Sequence, residues 1–234
     1  MKAQYIGDIN DYRKYALLRG LYRESGASIG VHWMLTPDDG SNDGRKRAYL
    51  GQAERWRSHD SELFDALCAV IGPNRSPSLS EIERAPPMAA FHYFSELVPD
   101  NANLRREVMR RANEQLAQAD LVFFDPDNGF EIASTAKGRQ GSAKYLYYDE
   151  LAAIYRAGKS ALVYQHYPRI ERRLFEDGLA QRIGESCPDA QVDFISTAHV
   201  AFVLITQGEH DYIRAAADRA ARSAHSDLYK LRPR

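Results

Sequence analysis

Hydrophobic positions recur at spacings of three and four over residues 11–24, where Tyr12, Tyr15, Leu18 and Tyr22 fall on one stripe and Ser25-Gly26 supplies the stop. That spacing predicts an amphipathic helix. Residues 28–35 are apolar and rich in strand formers, and they run into a dense turn cluster over residues 36–44, so a strand followed by a long acidic loop is expected. The same reasoning predicts helices over 48–57 and 61–71, a proline-rich surface connection over 72–87, a short strand within 91–98 and a helix over 103–119. Arg105, Arg106, Arg110 and Arg111 should form the solvated outer face of that last helix.

The pattern then changes period. Residues 121–124 form a continuous apolar run, 147–157 read as a helix, 160–165 as a second buried strand and 170–183 as another helix. Residues 191–196 and 201–206 are two strands joined by too few residues for a crossover helix, so they should pair antiparallel. A helix over 210–221 and a basic tail, residues 230–234, close the chain. Alternating strands and helices that end in a hairpin predict one α/β domain over residues 1–234, with a doubly wound, mostly parallel sheet and a C-terminal antiparallel hairpin strand.

Composition narrows this only slightly. Apolar residues make up 44% and charged residues 27%, enough for a sizeable core, and 31 basic against 32 acidic side chains give no bulk reason to expect a polyanionic partner. Cys68 and Cys187 lie far apart and outside any CxxC spacing, which argues against a disulfide framework or a zinc knuckle and for reduced thiols. No segment has the apolar length of a membrane span or of a secretory leader, so a cytoplasmic protein is expected.

In an open parallel sheet, ligands bind beyond the carboxyl ends of the strands. Three segments fall there: residues 36–44, 125–129 and 165–168. The sharpest is Asp125-Pro126-Asp127-Asn128-Gly129, where a buried strand is followed at once by two acids, a rigid proline and a turn-forming Asn-Gly. This is also good turn chemistry in its own right. Gly7 to Tyr15 carries more polar groups than a helix cap needs; Asp8, Asp11 and Lys14 are the candidates there, although Asp8 or Asn10 serves equally as a cap. His166 is placed to act as a base or to orient a substrate, or is a satisfied structural histidine, the reading given to His32 and His92. Lys144-Tyr145-Leu146-Tyr147-Tyr148 is an aromatic cluster suited to stacking a base or to packing over a sheet edge. The acidic loop at residues 38–44 lacks the terminal bidentate glutamate of a calcium-binding loop, and no metal-ligand set is assigned.

Asp125-Pro126-Asp127-Asn128, following Leu121-Val122-Phe123-Phe124, resembles the Asp/Asn-Pro-Pro-Tyr/Phe motif of class I S-adenosylmethionine-dependent amino-methyltransferases. Gly7 to Tyr15 is similar to the Gly-Asn-His-Ala-Asp-x-x-Lys-His stretch of ribosomal-RNA adenine-N6 methyltransferases, with Asp11 and Lys14 on the matching acid and lysine; it is also similar to the opening of an uncharacterised bacterial protein family. The resemblance implies a Rossmann-like methyltransferase type of fold and an enzyme that methylates a nucleobase amine or a similar nitrogen. Asp125 and Pro126 would position the amine, and Asp127, Asn128, Lys14 and His166 would share the catalytic site. It further implies S-adenosylmethionine as cofactor, near Asp8, Asp11, Thr36, Asp38 and Gly40, and nucleic acid as a partner.

The sequence departs from the pattern where Asp127 and Asn128 replace a proline and an aromatic, and where the turn after the first strand has a single glycine. Two other readings therefore stand beside it: a Mg²⁺-dependent hydrolase or nuclease with Asp125 and Asp127 as oxygen ligands, and a methyltransferase-like fold that binds without catalysing.

Overall fold

The structure is a computed structural model that describes residues 2, 5–38, 46–71, 78–222 and 228–233. In chain order the elements are α1 (Ile9–Ser25), β1 (Ile29–His32), α2 (Ala53–Trp56), α3 (Ser61–Val70), α4 (Leu79–Arg84), β2 (His92–Phe94), α5 (Ala102–Gln115), β3 (Leu121–Phe124), β4 (Gly129–Phe130) and β5 (Tyr145–Leu146). They continue with α6 (Tyr148–Arg156), β6 (Ser160–His166), α7 (Arg172–Ser186), β7 (Gln191–Ser196), β8 (Val200–Thr206), α8 (Asp211–Arg222) and β9 (Lys230–Pro233).

Seven strands form one sheet in the order β2-β1-β3-β6-β8-β7-β9. The first four run parallel, β8 pairs antiparallel with both β6 and β7, and β9 pairs antiparallel with β7. The fold is thus the expected doubly wound α/β type with a reversed hairpin strand. Alternation across the sheet explains its two cores. Leu121 and Phe123 of β3 face the layer of α1, α3, α4 and α8, whereas Val122 and Phe124 face α5, α6 and α7. All four side chains are fully buried, which is why this run carries no polar alternation.

Several predicted elements change form. Residues 48–57 give a 3₁₀ turn, Ala48–Gly51, and a single α-helical turn, Ala53–Trp56, because the helical pattern is interrupted at Gly51-Gln52. The described part of the proline-rich connection contains α4, started by a capping box between Ser78 and Glu81. The basic tail is a strand, β9. Arg105 corrects the expectation of a solvated face: it is fully buried, and its guanidinium donates to Glu150 at 2.6 and 2.8 Å and to the carbonyls of Ser142 and Tyr145. It escapes the cost of burying a charge because one carboxylate and two carbonyls receive its fork. Among the described residues no helix is long and apolar enough to cross a membrane, and both cysteines are free thiols.

Candidate functional site

The site begins in the turn before α1. Gly7 has φ +78°, and a Cβ there would lie 2.1 Å from Ile71 Cδ1, so both backbone and packing demand glycine. Its N–H donates to Asp11 Oδ2 at 3.0 Å. Asp8 caps the helix by accepting from the N–H groups of Asn10 and Asp11 with Oδ1. Asp11 is completely buried; besides Gly7 it accepts from the Tyr15 hydroxyl at 3.3 Å and from Lys14 Nζ at 3.1 Å.

At the end of β3, Asp125 continues the ladder, its N–H donating to the His32 carbonyl at 3.1 Å, and turns its carboxylate back over the sheet. There Asp125 Oδ2 accepts from Lys14 Nζ at 2.8 Å. The Lys14 ammonium also lies 4.3 Å from the centre of the Tyr164 ring, so α1, β3 and β6 meet at one cation. Burial opposes charge on Lys14, but the Asp125 and Asp11 carboxylates prevail and hold its pKa well above the ordinary value. Asp11 is pushed up to about 7, chiefly by burial and further by Asp8 and Asp125, against the pull of Lys14 and the Gly7 N–H. One ammonium among neighbouring carboxylates makes the most buried of them the one that retains a proton.

The loop beyond β3 is locked on both sides. Asp127 Oδ2 accepts from the Thr36 hydroxyl at 2.7 Å, and the Asn128 N–H donates to the Lys144 carbonyl at 2.9 Å. Gly129 has φ +103°, with a Cβ position only 2.2 Å from Gln165 Oε1. That oxygen accepts from the Phe130 N–H at 2.8 Å, so the Gln165 amide ties the loop to the end of β6. Next to it, His166 is open to solvent and meets the Tyr164 ring edge-on at 5.1 Å. Crowding by protein, then the Lys14 charge, lowers its pKa against the opposing pull of Asp125 and Asp127. The imidazole is consequently neutral at pH 7 and able to accept a proton.

These groups enclose a cavity of 360 Å³. Asp8, Asp11, Lys14, Asp125, Pro126, Asp127, Asn128 and His166 all line it. Thr36, buried beneath Asp127, and Asp38, exposed, do not; Gly40 lies outside the described residues. Tyr164, Lys2 and Lys46 line it too, and sequence reasoning gave none of these three a site role, whereas Lys144, which also lines it, begins the aromatic cluster singled out over residues 144–148. Tyr164 sits inside an apolar strand, where the sole signal was a polar tip facing the α1 side.

Asp125 and Asp127, the pair that a divalent ion would have to bridge, engage Lys14 and Thr36 respectively. Among the described residues no group of three His, Cys, Asp or Glu is placed to hold a metal ion. The Lys14 ammonium stands where a bridging cation would bind Asp125, so the donor set does not suit a divalent metal.

The fold and the placement of the site define a doubly wound α/β protein whose cavity opens at the carboxyl end of its parallel strands. No family model matches the chain, and no curated protein matches it. Among solved structures it is similar to the crystal structure of protein LPL1258 from Legionella pneumophila, described as family-model DUF519. The two share 11% identity over 98% of this chain and 97% of that one, with a TM-score of 0.48.

Proposed function

We propose that the cavity is the acceptor site of a methyltransferase-like enzyme acting on a nucleobase amine or a similar nitrogen. The reading is carried by the 2.8 Å bond between Lys14 Nζ and Asp125 Oδ2. It joins, across 111 residues of sequence, the two segments that separately resemble methyltransferase motifs.

An attacking amine must be stripped of water and turned so that its lone pair faces the methyl group. The Asp125 carboxylate and the Pro126 carbonyl are acceptors for its N–H groups at the cavity wall, and Lys14 fixes the angle of the carboxylate. Methylation leaves the nitrogen with a proton to lose, and His166, uncharged at neutral pH on the rim, is the group to take it. S-adenosylmethionine, when bound, supplies an electrophilic methyl on a sulfonium. Asp8 is the carboxylate available to a cationic donor: it spends Oδ1 on the helix cap, while its Oδ2 makes no hydrogen bond among the described residues. Asp11, whose oxygens already accept three bonds, supports Lys14 from within. Thr36 would act through Asp127.

Calorimetry with S-adenosylmethionine, and separately with Mg²⁺ and Mn²⁺, tests the reading. Binding of the methyl donor, weakened in Asp8→Asn and retained in Asp125→Asn, is expected, together with loss of methyl transfer to adenine-containing substrates in Asp125→Asn. Binding of the metal alone, or of neither, overturns it.

A further inference from the structure

Among the described residues the buried tyrosines are Tyr12, Tyr15, Tyr49, Tyr147, Tyr164 and Tyr229. A buried phenol ordinarily finds a partner for its O–H. Tyr12, Tyr49, Tyr147 and Tyr229 donate to backbone carbonyls, and Tyr15 donates to Asp11. Tyr164 is the exception: the residue is only 4% exposed and lines the 360 Å³ cavity, yet its hydroxyl makes no hydrogen bond among the described residues. Its ring is held from several directions. The Lys14 ammonium lies 4.3 Å from the ring centre, Phe202 meets it at 5.5 Å and 64°, and His166 meets it edge-on at 5.1 Å. Alternation along β6 puts Tyr164 and His166 on the same face of the sheet, and the ammonium that sits over the ring is the one that binds Asp125. Packing therefore fixes the ring, and the cavity is the space left for its hydroxyl.

Burial raises the pKa of this phenol above its ordinary value; the Lys14 charge opposes the rise and the Asp125 carboxylate reinforces it. The hydroxyl thus keeps its proton at neutral pH and faces the ligand as a donor. It stands near groups of the opposite kind, since the Asp125 carboxylate and the Pro126 carbonyl accept the N–H groups of the amine. We propose that Tyr164 is the specificity-determining residue of the cavity: its hydroxyl donates to a ring nitrogen on the carbon that carries the amine, so that an amine with such a neighbour is selected over one without it. The inference rests on the amine-methylation reading and assigns to that site a residue outside both resembling motifs. Selection follows from what an unmatched ligand leaves behind. A C–H in place of the ring nitrogen would cover the buried hydroxyl and leave it without an acceptor, and a site built around a hydrogen bond rejects the analogue that lacks it.

The test is calorimetry of the full chain, without a methyl donor, against adenosine, 1-deazaadenosine, in which the ring nitrogen beside the amine-bearing carbon is a C–H, and 7-deazaadenosine, which keeps that nitrogen. Wild type should bind adenosine and 7-deazaadenosine alike and 1-deazaadenosine about tenfold more weakly. Tyr164→Phe, which retains the ring between Lys14 and Phe202, should weaken adenosine about tenfold and leave 1-deazaadenosine unchanged, so that the preference disappears. A merely structural role for Tyr164 would shift all three nucleosides together. Tyr212→Phe, which removes an exposed hydroxyl on α8 outside the cavity, serves as the control and should bind as wild type does. Circular dichroism checks that each variant is folded, and Tyr164→Leu replaces Tyr164→Phe if it is not. A wild type without preference between adenosine and 1-deazaadenosine, a preference that survives in Tyr164→Phe, or no binding of any nucleoside overturns the proposal. Because no methyl donor is present, a failure of the donor to bind sinks the methylation reading and leaves this measurement intact, whereas methyl transfer with an undiminished preference in Tyr164→Phe sinks the role of Tyr164 alone.

Discussion

Two neighbouring strand ends of one parallel sheet have been put to opposite uses. At the end of β3 the polar side chains turn into a cavity and are paired there with charge: Asp125 with Lys14, under Tyr164. At the end of β1, one strand away, they turn inward. His32 is fully buried between Phe94 and Phe124, its Nδ1 accepts from the Met34 N–H at 3.1 Å, and burial lowers its pKa to about 3, so it stays neutral. Met34 takes φ 48° to make that turn, and Thr36 hands its hydroxyl to Asp127. The β1 end is a brace for the β3 loop. A strand terminus rich in polar residues is therefore not by itself a site; what separates the two is whether the polar groups converge on open space.

The largest effect should come from removing the cation. Lys14→Met leaves Asp11 and Asp125 buried without their ammonium, and breaking a buried pair costs about 3–5 kcal/mol, to be read as a fall in the urea midpoint. If Lys14→Met costs less than a surface pair would, the cavity is not the charged core described above. The same cluster sets a pH dependence. Asp11 in the folded protein holds its proton up to about pH 7, against 3.8 as its ordinary value, so its raised pKa favours the folded state below about 4. That contribution is lost as pH rises through 7. Stability of the wild type relative to Asp11→Asn should accordingly decline between pH 4 and 7 and level off above, and a difference flat across that window would show Asp11 to be ordinary.

Gly129→Ala forces a Cβ onto Gln165 at positive φ and should cost roughly 1–3 kcal/mol while loosening the loop. Thr36→Val is the mildest test, removing one hydrogen bond to Asp127 at a cost of about 1 kcal/mol. If the β1 end only braces, Thr36→Val should raise the KM of the proposed reaction without abolishing turnover.

Local pattern sufficed for the elements that are locally determined. The apolar run 121–124 and the hairpin strand 191–196 have the extents that alternation and composition predict. It failed where partners lie far along the chain. β9 exists because β7 offers it a ladder, Phe194 opposite Arg232, and nothing within residues 230–233 says so. Gly129-Phe130 reads as a turn because two residues carry no period, yet it pairs with Tyr145-Leu146. Arg105 follows the outer-face pattern of its helix, and only the loop folded over it at residues 142–145 makes it internal. The site shows the same division. Asp125 and Lys14 were each recognisable, while their bond depends on α1 crossing the carboxyl end of β3, a fact of topology.

A strand left unpaired offers its row of N–H and C=O groups to any other chain. β9 covers that row on β7, and it is itself a poor template: it is four residues long, alternates Lys230 and Arg232 with Leu231 and Pro233, and ends on a residue with no N–H to donate. The basic tail is thus a seal against edge-to-edge polymerisation. Cutting it away would turn the β7 border into a sticky seam and convert a self-contained sheet into a building block for larger, unwanted assemblies.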